Sequence, residues 1–149
     1  MRLALAPARP RDARPLARIL GAWSRETPWM EQPLGTAEDR LALCRLIRDS
    51  DVVTLRTWRG PVAFLARRGE EIHALYVAPE ARGQGLGKRL LDDAKARADR
   101  LALWTLQANA GARRFYAREG FHETRFSFGE GNDARLPDVR LVWQREEAR

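Results

Sequence analysis

The sequence predicts one mixed α/β (α+β) domain, and three observations carry that prediction. Between Asp51 and Val77 three β-rich runs follow one another through two short turns, which is the pattern of an antiparallel meander. Two segments of helical periodicity precede this meander, and after it strand and helix alternate to the end of the chain. At 149 residues and 44% hydrophobic content, the chain has the length for a single domain over residues 1–149 with its own core.

Taken in order, Leu3 to Ala6 reads as a short first strand that Pro7 and Pro10 break. From about Arg11, the apolar residues Leu16, Ile19, Leu20 and Trp23 recur at helical spacing, while Arg11, Arg14, Arg18 and Arg25 fall on the opposite, solvated face. SRETPWMEQPLG, with two prolines and a terminal glycine, is a connecting loop, and Thr36 is placed to cap a second helix running to about Arg48. DVVTLRTW, PVAFLA and EEIHALYV, joined by RG and RRG, make the meander. Leu86, Leu90, Leu91, Ala94 and Ala98 form the apolar face of a third helix, LALWTL is a buried strand, and NAGARRFYAREG is a short helix that Gly120 can end in the left-handed conformation. FHETRFSF and DVRLVWQ supply two further strands.

Composition narrows the function. The net charge is +7, but the basic residues are interleaved with acids and never form a run of five, so a nucleic-acid-binding protein is disfavoured and an anionic small molecule is the better partner. No apolar stretch approaches the ~18–20 residues that span a bilayer, and Pro7 interrupts MRLALAP before it could act as a signal core, so a soluble, unprocessed cytoplasmic protein without a membrane partner is expected. The single cysteine, Cys44, excludes an internal disulfide, and with only His73 and His122 beside it no metal-ligand spacing exists. Cys44 lies within an apolar helical pattern, and core packing is expected for it.

The stretch with the most chemistry is YVAPEARGQGLGK, Tyr76 to Lys88, with glycines at 83, 85 and 87. A P-loop would need four residues between its outer glycines and a hydroxyl after its lysine; here three intervene and Arg89 follows Lys88. The dinucleotide fingerprint fails as well, because Lys88 stands where its third glycine belongs. What remains is the physics common to both. Glycines admit a ligand close to the backbone, successive N–H groups point into the turn, and the following helix N-terminus with Arg82, Lys88 and Arg89 adds positive charge.

Arg82-Gly83-Gln84-Gly85-Leu86-Gly87, after a strand ending in V-x-P, resembles the R/Q-x-x-G-x-G/A signature of the GNAT superfamily of acyl-CoA N-acyltransferases. NAGARRFYAREGF, Asn109 to Phe121, resembles the N-x-x-A-x-x-x-Y-x-x-x-G-F segment of the same family. The resemblance covers about Asp51 to Gln144. It implies a mostly antiparallel sheet of six or seven strands flanked by about four helices, with strands splayed around a coenzyme A cleft. It also implies an acyltransferase that moves acetyl from acetyl-CoA to a primary amine by direct attack, without a metal and in some members as a homodimer.

The resemblance assigns roles residue by residue. Arg82, Gly83, Gln84, Gly85, Leu86, Gly87 and Lys88 would cradle the pyrophosphate, Tyr76 and Val77 would offer backbone to the pantetheine arm, and Asn109 would contact the same arm. Asn109 also stands where a helix N-cap belongs. Tyr116 matches the tyrosine that protonates the departing thiolate, against the plainer reading that it packs beside Phe115. Glu71 and His73, with Leu75 and Val77, alternate onto one strand face, so either can serve as the base that deprotonates the amine. The family pattern leans to Glu71; an imidazole needs less tuning for the task.

The acceptor is less legible. Trp29 and Met30 could line an apolar wall, and Glu26, Glu31, Asp133 or Asp138 could attract a cation, although an ordinary solvated loop accounts for each alone. The ending GNDARLPDVRLVW resembles a bacterial subgroup of the family, which names no acceptor. The acceptor is therefore a small-molecule or peptide amine, and the alternative to an enzyme is a sensor or docking module that binds acyl-CoA without turnover.

Overall fold

Seven strands and four α-helices are present in the computed structural model, which describes residues 2–29, 36–132 and 135–146. The strand order is β1-β2-β3-β4-β5-β7-β6. The chain packs as two units, one holding the residues up to Arg68 with Ile72–Asp93, the other Gly69–Glu71 with Ala94 onward.

The first unit begins with β1 (Ala4–Pro7), which continues through the proline expected to end it. β1 is an edge strand paired antiparallel with β2 (Asp51–Thr57), Pro7 opposite Val53, and a proline is tolerated at an edge because its missing N–H takes no bond from the ladder. A single 3-10 turn, Pro10–Asp12, leads into α1 (Ala13–Arg25). Leu16, Ala17 and Ile19 of α1 are buried with Phe64 and Ala66 of β3 (Gly60–Arg68), while Arg11, Arg14, Arg18 and Arg25 are exposed as the periodicity requires. Each of the fully buried Leu and Phe side chains is worth about 2 kcal/mol of transfer free energy.

α2 (Ala37–Asp49) opens on a reciprocal cap, with Thr36 Oγ1 accepting from Asp39 N–H at 3.3 Å and Asp39 Oδ2 accepting from Thr36 N–H at 3.0 Å. It buries only a narrow stripe, Leu43 with Leu46 and Ile47 packed beside it. Cys44 is exposed, contrary to the expectation of core packing, because one position beyond Leu43 turns it about 100° away from that stripe.

Among the described residues Asp12 is the buried charge of this unit, 3% exposed. Its carboxylate accepts from Arg9 N–H at 2.8 Å and from the Arg56 guanidinium at 3.0 and 3.2 Å. Burial by itself would raise the Asp12 pKa, but the hydrogen bonds from Arg56 and Arg9 and the nearby positive charges of Arg56 and Arg11 hold it below the usual value.

In the second unit β5 (Arg100–Leu106) pairs antiparallel with β7 (Asp138–Gln144) from Arg100 opposite Gln144 to Leu106 opposite Asp138, and β7 pairs with β6 (His122–Ser127). β4 (Glu71–Val77) and β5 run parallel, with Glu71 opposite Ala102 and Ala102 N–H donating to Glu70 O at 2.8 Å. α3 (Leu86–Arg97) starts in the first unit and ends in the second, and α4 (Ala110–Arg118) lies wholly in the second. Among the described residues no helix is long and apolar enough to cross a membrane.

Replacing Asp12 with Ala strands the Arg56 charge and lowers the free energy of unfolding by about 2–4 kcal/mol in a urea titration. Because the folded-state pKa of Asp12 is depressed, its contribution is complete above the unfolded value near ~3.9 and fades as pH falls through the lower folded value. The stability gap between the wild type and Asp12→Asn is therefore flat near neutrality and narrows only in strong acid.

Candidate active site

β4 alternates along its length. Ile72, Ala74 and Tyr76 pack into the first unit, Ile72 buried and the others against the core cluster of Leu16, Phe64 and Ala78. Tyr76 is half-buried, its ring 5.4 Å from Trp23 and 5.8 Å from Phe64, and desolvation pushes its phenol pKa up. Its side chain belongs to packing. His73, on the opposite face, is exposed.

After β4, Ala78 N–H donates to Val62 O at 2.8 Å, and a 3-10 turn over Pro79–Ala81 delivers the chain into the glycine loop. Gly83 and Gly85 have φ of +74° and +75°, left-handed values that side chains resist. A Cβ at either would meet nothing within 4 Å, so it is the backbone turn itself that calls for glycine there. Arg82, Gly83, Gln84 and Gly85 are exposed, Leu86 is buried, and Gly85 O accepts from Arg89 N–H at 3.0 Å as the helix starts. Lys88 Nζ holds Asp92 at 3.0 Å one turn on, and the Arg82 guanidinium donates from Nη1 to Glu26 Oε2 at the end of α1. Backbone N–H groups in left-handed turns beside three cations fit the diphosphate of a nucleotide-type ligand.

In the second unit Asn109 caps α4, its Oδ1 accepting from Ala112 N–H at 3.1 Å. The other end is a Schellman motif, in which Phe121 N–H donates to Tyr116 O at 2.9 Å and Gly120 N–H to Ala117 O at 3.1 Å, with Gly120 at φ +89° as its sequence position requires. Tyr116 is buried at 7% exposure, with its ring edge-on to Phe115 at 5.1 Å and Phe121 at 5.2 Å. Both aromatic neighbours share its surroundings, although consecutive helical positions point apart.

Glu71 is held by Arg140 in a two-pronged ion pair, with Nη1 to Oε2 at 2.8 Å and Nη2 to Oε1 closing the fork. The same guanidinium lies 5.6 Å over the Trp104 ring, and its pKa is raised, first by the hydrogen bond to Glu71. Sequence reasoning missed Arg140. Its partner is 69 residues away, and nothing local in DVRLVWQ marks it.

Of the acceptor candidates, Trp29 packs edge-on to Trp23 at 5.8 Å, and Asp138 is buried, accepting from Ser127 Oγ and from Asn132 Nδ2 at 3.1 Å, so its carboxylate serves the β6–β7 connection. His122 is exposed. Met30, Glu31 and Asp133 lie outside the described residues.

The family model of the acetyltransferase (GNAT) domain matches residues 38–123, more than half of the chain. The chain belongs to the GNAT acetyltransferase family. That family assignment makes it an acetyl-CoA-dependent acyltransferase by class. The peptidyl-lysine N-acetyltransferase YjaB of Salmonella typhimurium is 39% identical over 83 residues, 56% of this chain and 57% of its own, so the chain matches little more than half of that relative. The peptidyl-lysine N-acetyltransferase YiaC of Escherichia coli is 30% identical over 136 residues, 86% of this chain and 90% of its own. Among solved structures, yncA from Salmonella typhimurium, a putative acetyltransferase with its cofactor acetyl-CoA, superposes with a TM-score of 0.70 at 19% identity, covering 100% of this chain and 97% of that one. As a GNAT fold the mostly antiparallel seven-stranded sheet with four helices is as the two motifs implied. Arg140 and Asp138 lie beyond the matched 38–123 segment.

Gly83→Ala or Gly85→Ala forces a Cβ into left-handed backbone at a cost of about 1–2 kcal/mol, read in thermal unfolding as a Tm several degrees lower.

Proposed function

We propose that the protein transfers acetyl from acetyl-CoA to the side-chain amine of a peptide lysine, acting as one catalytic domain over residues 1–149 in the cytoplasm. The observation that carries this reading is the loop Arg82–Lys88, whose left-handed Gly83 and Gly85 expose backbone N–H groups beside Arg82, Lys88 and Arg89. The lysine acceptor is supported by the names of YjaB and YiaC, both peptidyl-lysine acetyltransferases.

Residues 82–88 bind the pyrophosphate, and the backbone of Tyr76 and Val77 and the Asn109 amide hold the pantetheine arm. A backbone N–H near Val77 stabilises the oxyanion as the amine attacks the thioester carbonyl. The new C–N bond forms, the C–S bond breaks, and the ammonium proton leaves to a base while the thiolate takes a proton from Tyr116. Between the two base candidates we favour His73. It is exposed, whereas a proton arriving at Glu71 would have to compete with the Arg140 N–H groups that both its oxygens accept. Glu71 then orients Arg140 and its stack on Trp104.

The same grip on Glu71 favours one second reading, an acyl-CoA-binding sensor without turnover, should Glu71 be the base this chain would need. Release of free thiol from acetyl-CoA with a lysine-peptide panel decides between them: turnover supports the enzyme, while a ligand-raised Tm with no thiol released supports the sensor.

In that assay His73→Gln lowers kcat/KM by about 10–100-fold, while Glu71→Gln stays within a fewfold of the wild type. Tyr116→Phe keeps the ring contacts and lowers kcat by about 10–100-fold with little change in KM. A wild-type kcat/KM in His73→Gln would return the role to Glu71 or to water.

A further inference from the structure

Glu26, 56 residues earlier in the chain, clasps Arg82 of the cationic loop. Its position is set by the end of α1, where Glu26 N–H donates to Trp23 O at 3.2 Å and Thr27 Oγ1 donates to the same oxygen at 2.7 Å. Trp23 is in turn packed on Tyr76 of β4 at 5.4 Å and on Trp29 at 5.8 Å. The segment carrying Glu26 is thus fixed to the strand that launches the loop, and its carboxylate accepts from Arg82 Nη1 with both side chains about half exposed, 48% and 43%.

We propose that Glu26 is a built-in competitor for the anion loop, a fixed carboxylate that shares Arg82 with the ligand's phosphate and so weakens the hold on coenzyme A. The inference rests on the reading of residues 82–88 as the diphosphate cradle. Two anions on one guanidinium repel each other, and Arg82 can give a phosphate its full two-pronged hydrogen bonding only by releasing Glu26. Either way the free energy of the Glu26–Arg82 contact is subtracted from phosphate binding. For a transferase this is useful on the product side, since the phosphates are common to acetyl-CoA and coenzyme A, and a looser grip on both speeds departure of the product. Because the pair is exposed to solvent, the effect is of the modest size that surface ion pairs have, and it is open to salt.

The test is calorimetric, on the full chain, with coenzyme A and with acetyl-pantetheine, which lacks every phosphate. Glu26→Gln is expected to tighten coenzyme A by about two- to fivefold and to leave acetyl-pantetheine unchanged. The gain should vanish in an Arg82→Ala background, where the two substitutions cease to be independent, and should shrink at 1 M salt, where screening acts over ~3 Å. Unchanged or weaker coenzyme A binding in Glu26→Gln overturns the proposal, as does equal tightening of acetyl-pantetheine, which would place the effect in packing. If none of the proteins bound coenzyme A, the assignment of the loop itself would fall and take the proposal with it; if the wild type bound it and Glu26→Gln gained nothing, only the proposal would fall.

Discussion

Alternation along β4 is the constraint on which the site depends. Successive side chains of a strand face opposite ways, and once Tyr76 is committed to Trp23 and Phe64 the sides of its neighbours follow. Ile72 and Ala74 join Tyr76 on the packed side, and Glu71, His73, Leu75 and Val77 are turned to the other. A slip of one residue would bury His73 and expose Tyr76, so the register is specified by the whole apolar face. Tyr76 also illustrates what packing removes from chemistry: its phenol is pushed up by desolvation and its ring is engaged on two sides.

The surplus of arginine acquires a structural meaning beside its electrostatic one. Arg56 forks onto buried Asp12, Arg140 onto Glu71, and Arg113 onto Glu123 through Nε at 2.7 Å and Nη2 at 3.1 Å. Each is a planar two-pronged fit that an ammonium cannot reproduce. The Arg113 pair raises the arginine pKa and lowers that of Glu123, in each case first through the hydrogen bond between them. These three arginines each join a residue well separated in the chain. The net charge of +7 already discounts such pairs and says nothing of where the excess lies; the local arrangement at Arg82, Lys88 and Arg89 says more.

What was legible in the sequence was what local rules encode. Thr36 as a cap, the arginine face of α1, the meander, and Gly120 at the end of α4 all follow from spacing within a few residues. Gly83 was legible for the same reason, its left-handed turn being a property of its own backbone. Pro7 was misjudged because only the strand order makes β1 an edge, and Cys44 because a narrow buried stripe cannot be told from a wide one by apolar residues alone. The Glu71–Arg140 pair was invisible because β7 is brought to it by sheet topology, with no trace in either segment. The family resemblance supplied roles for single residues, but it could not say which of them were already occupied.

The segment from Asn109 to Phe121 shows how a functional motif can also be a folding motif. Asn109 is the N-cap, Ala112 gives it the N–H it accepts, Tyr116 and Ala117 offer the carbonyls of the Schellman turn, and Gly120 and Phe121 supply the two N–H groups that close it. The Phe121 ring against Tyr116 is the apolar contact that accompanies such a turn, and Lys95 Nζ reaches Glu119 O at 2.5 Å where the helix presents its negative end. Every position matched in N-x-x-A-x-x-x-Y-x-x-x-G-F thus takes part in building the helix and its two ends, whatever the chain does with acetyl-CoA. A match to the motif is therefore evidence of a well-ended helix before it is evidence of chemistry, and only a variant that keeps the ring and removes the hydroxyl separates the two.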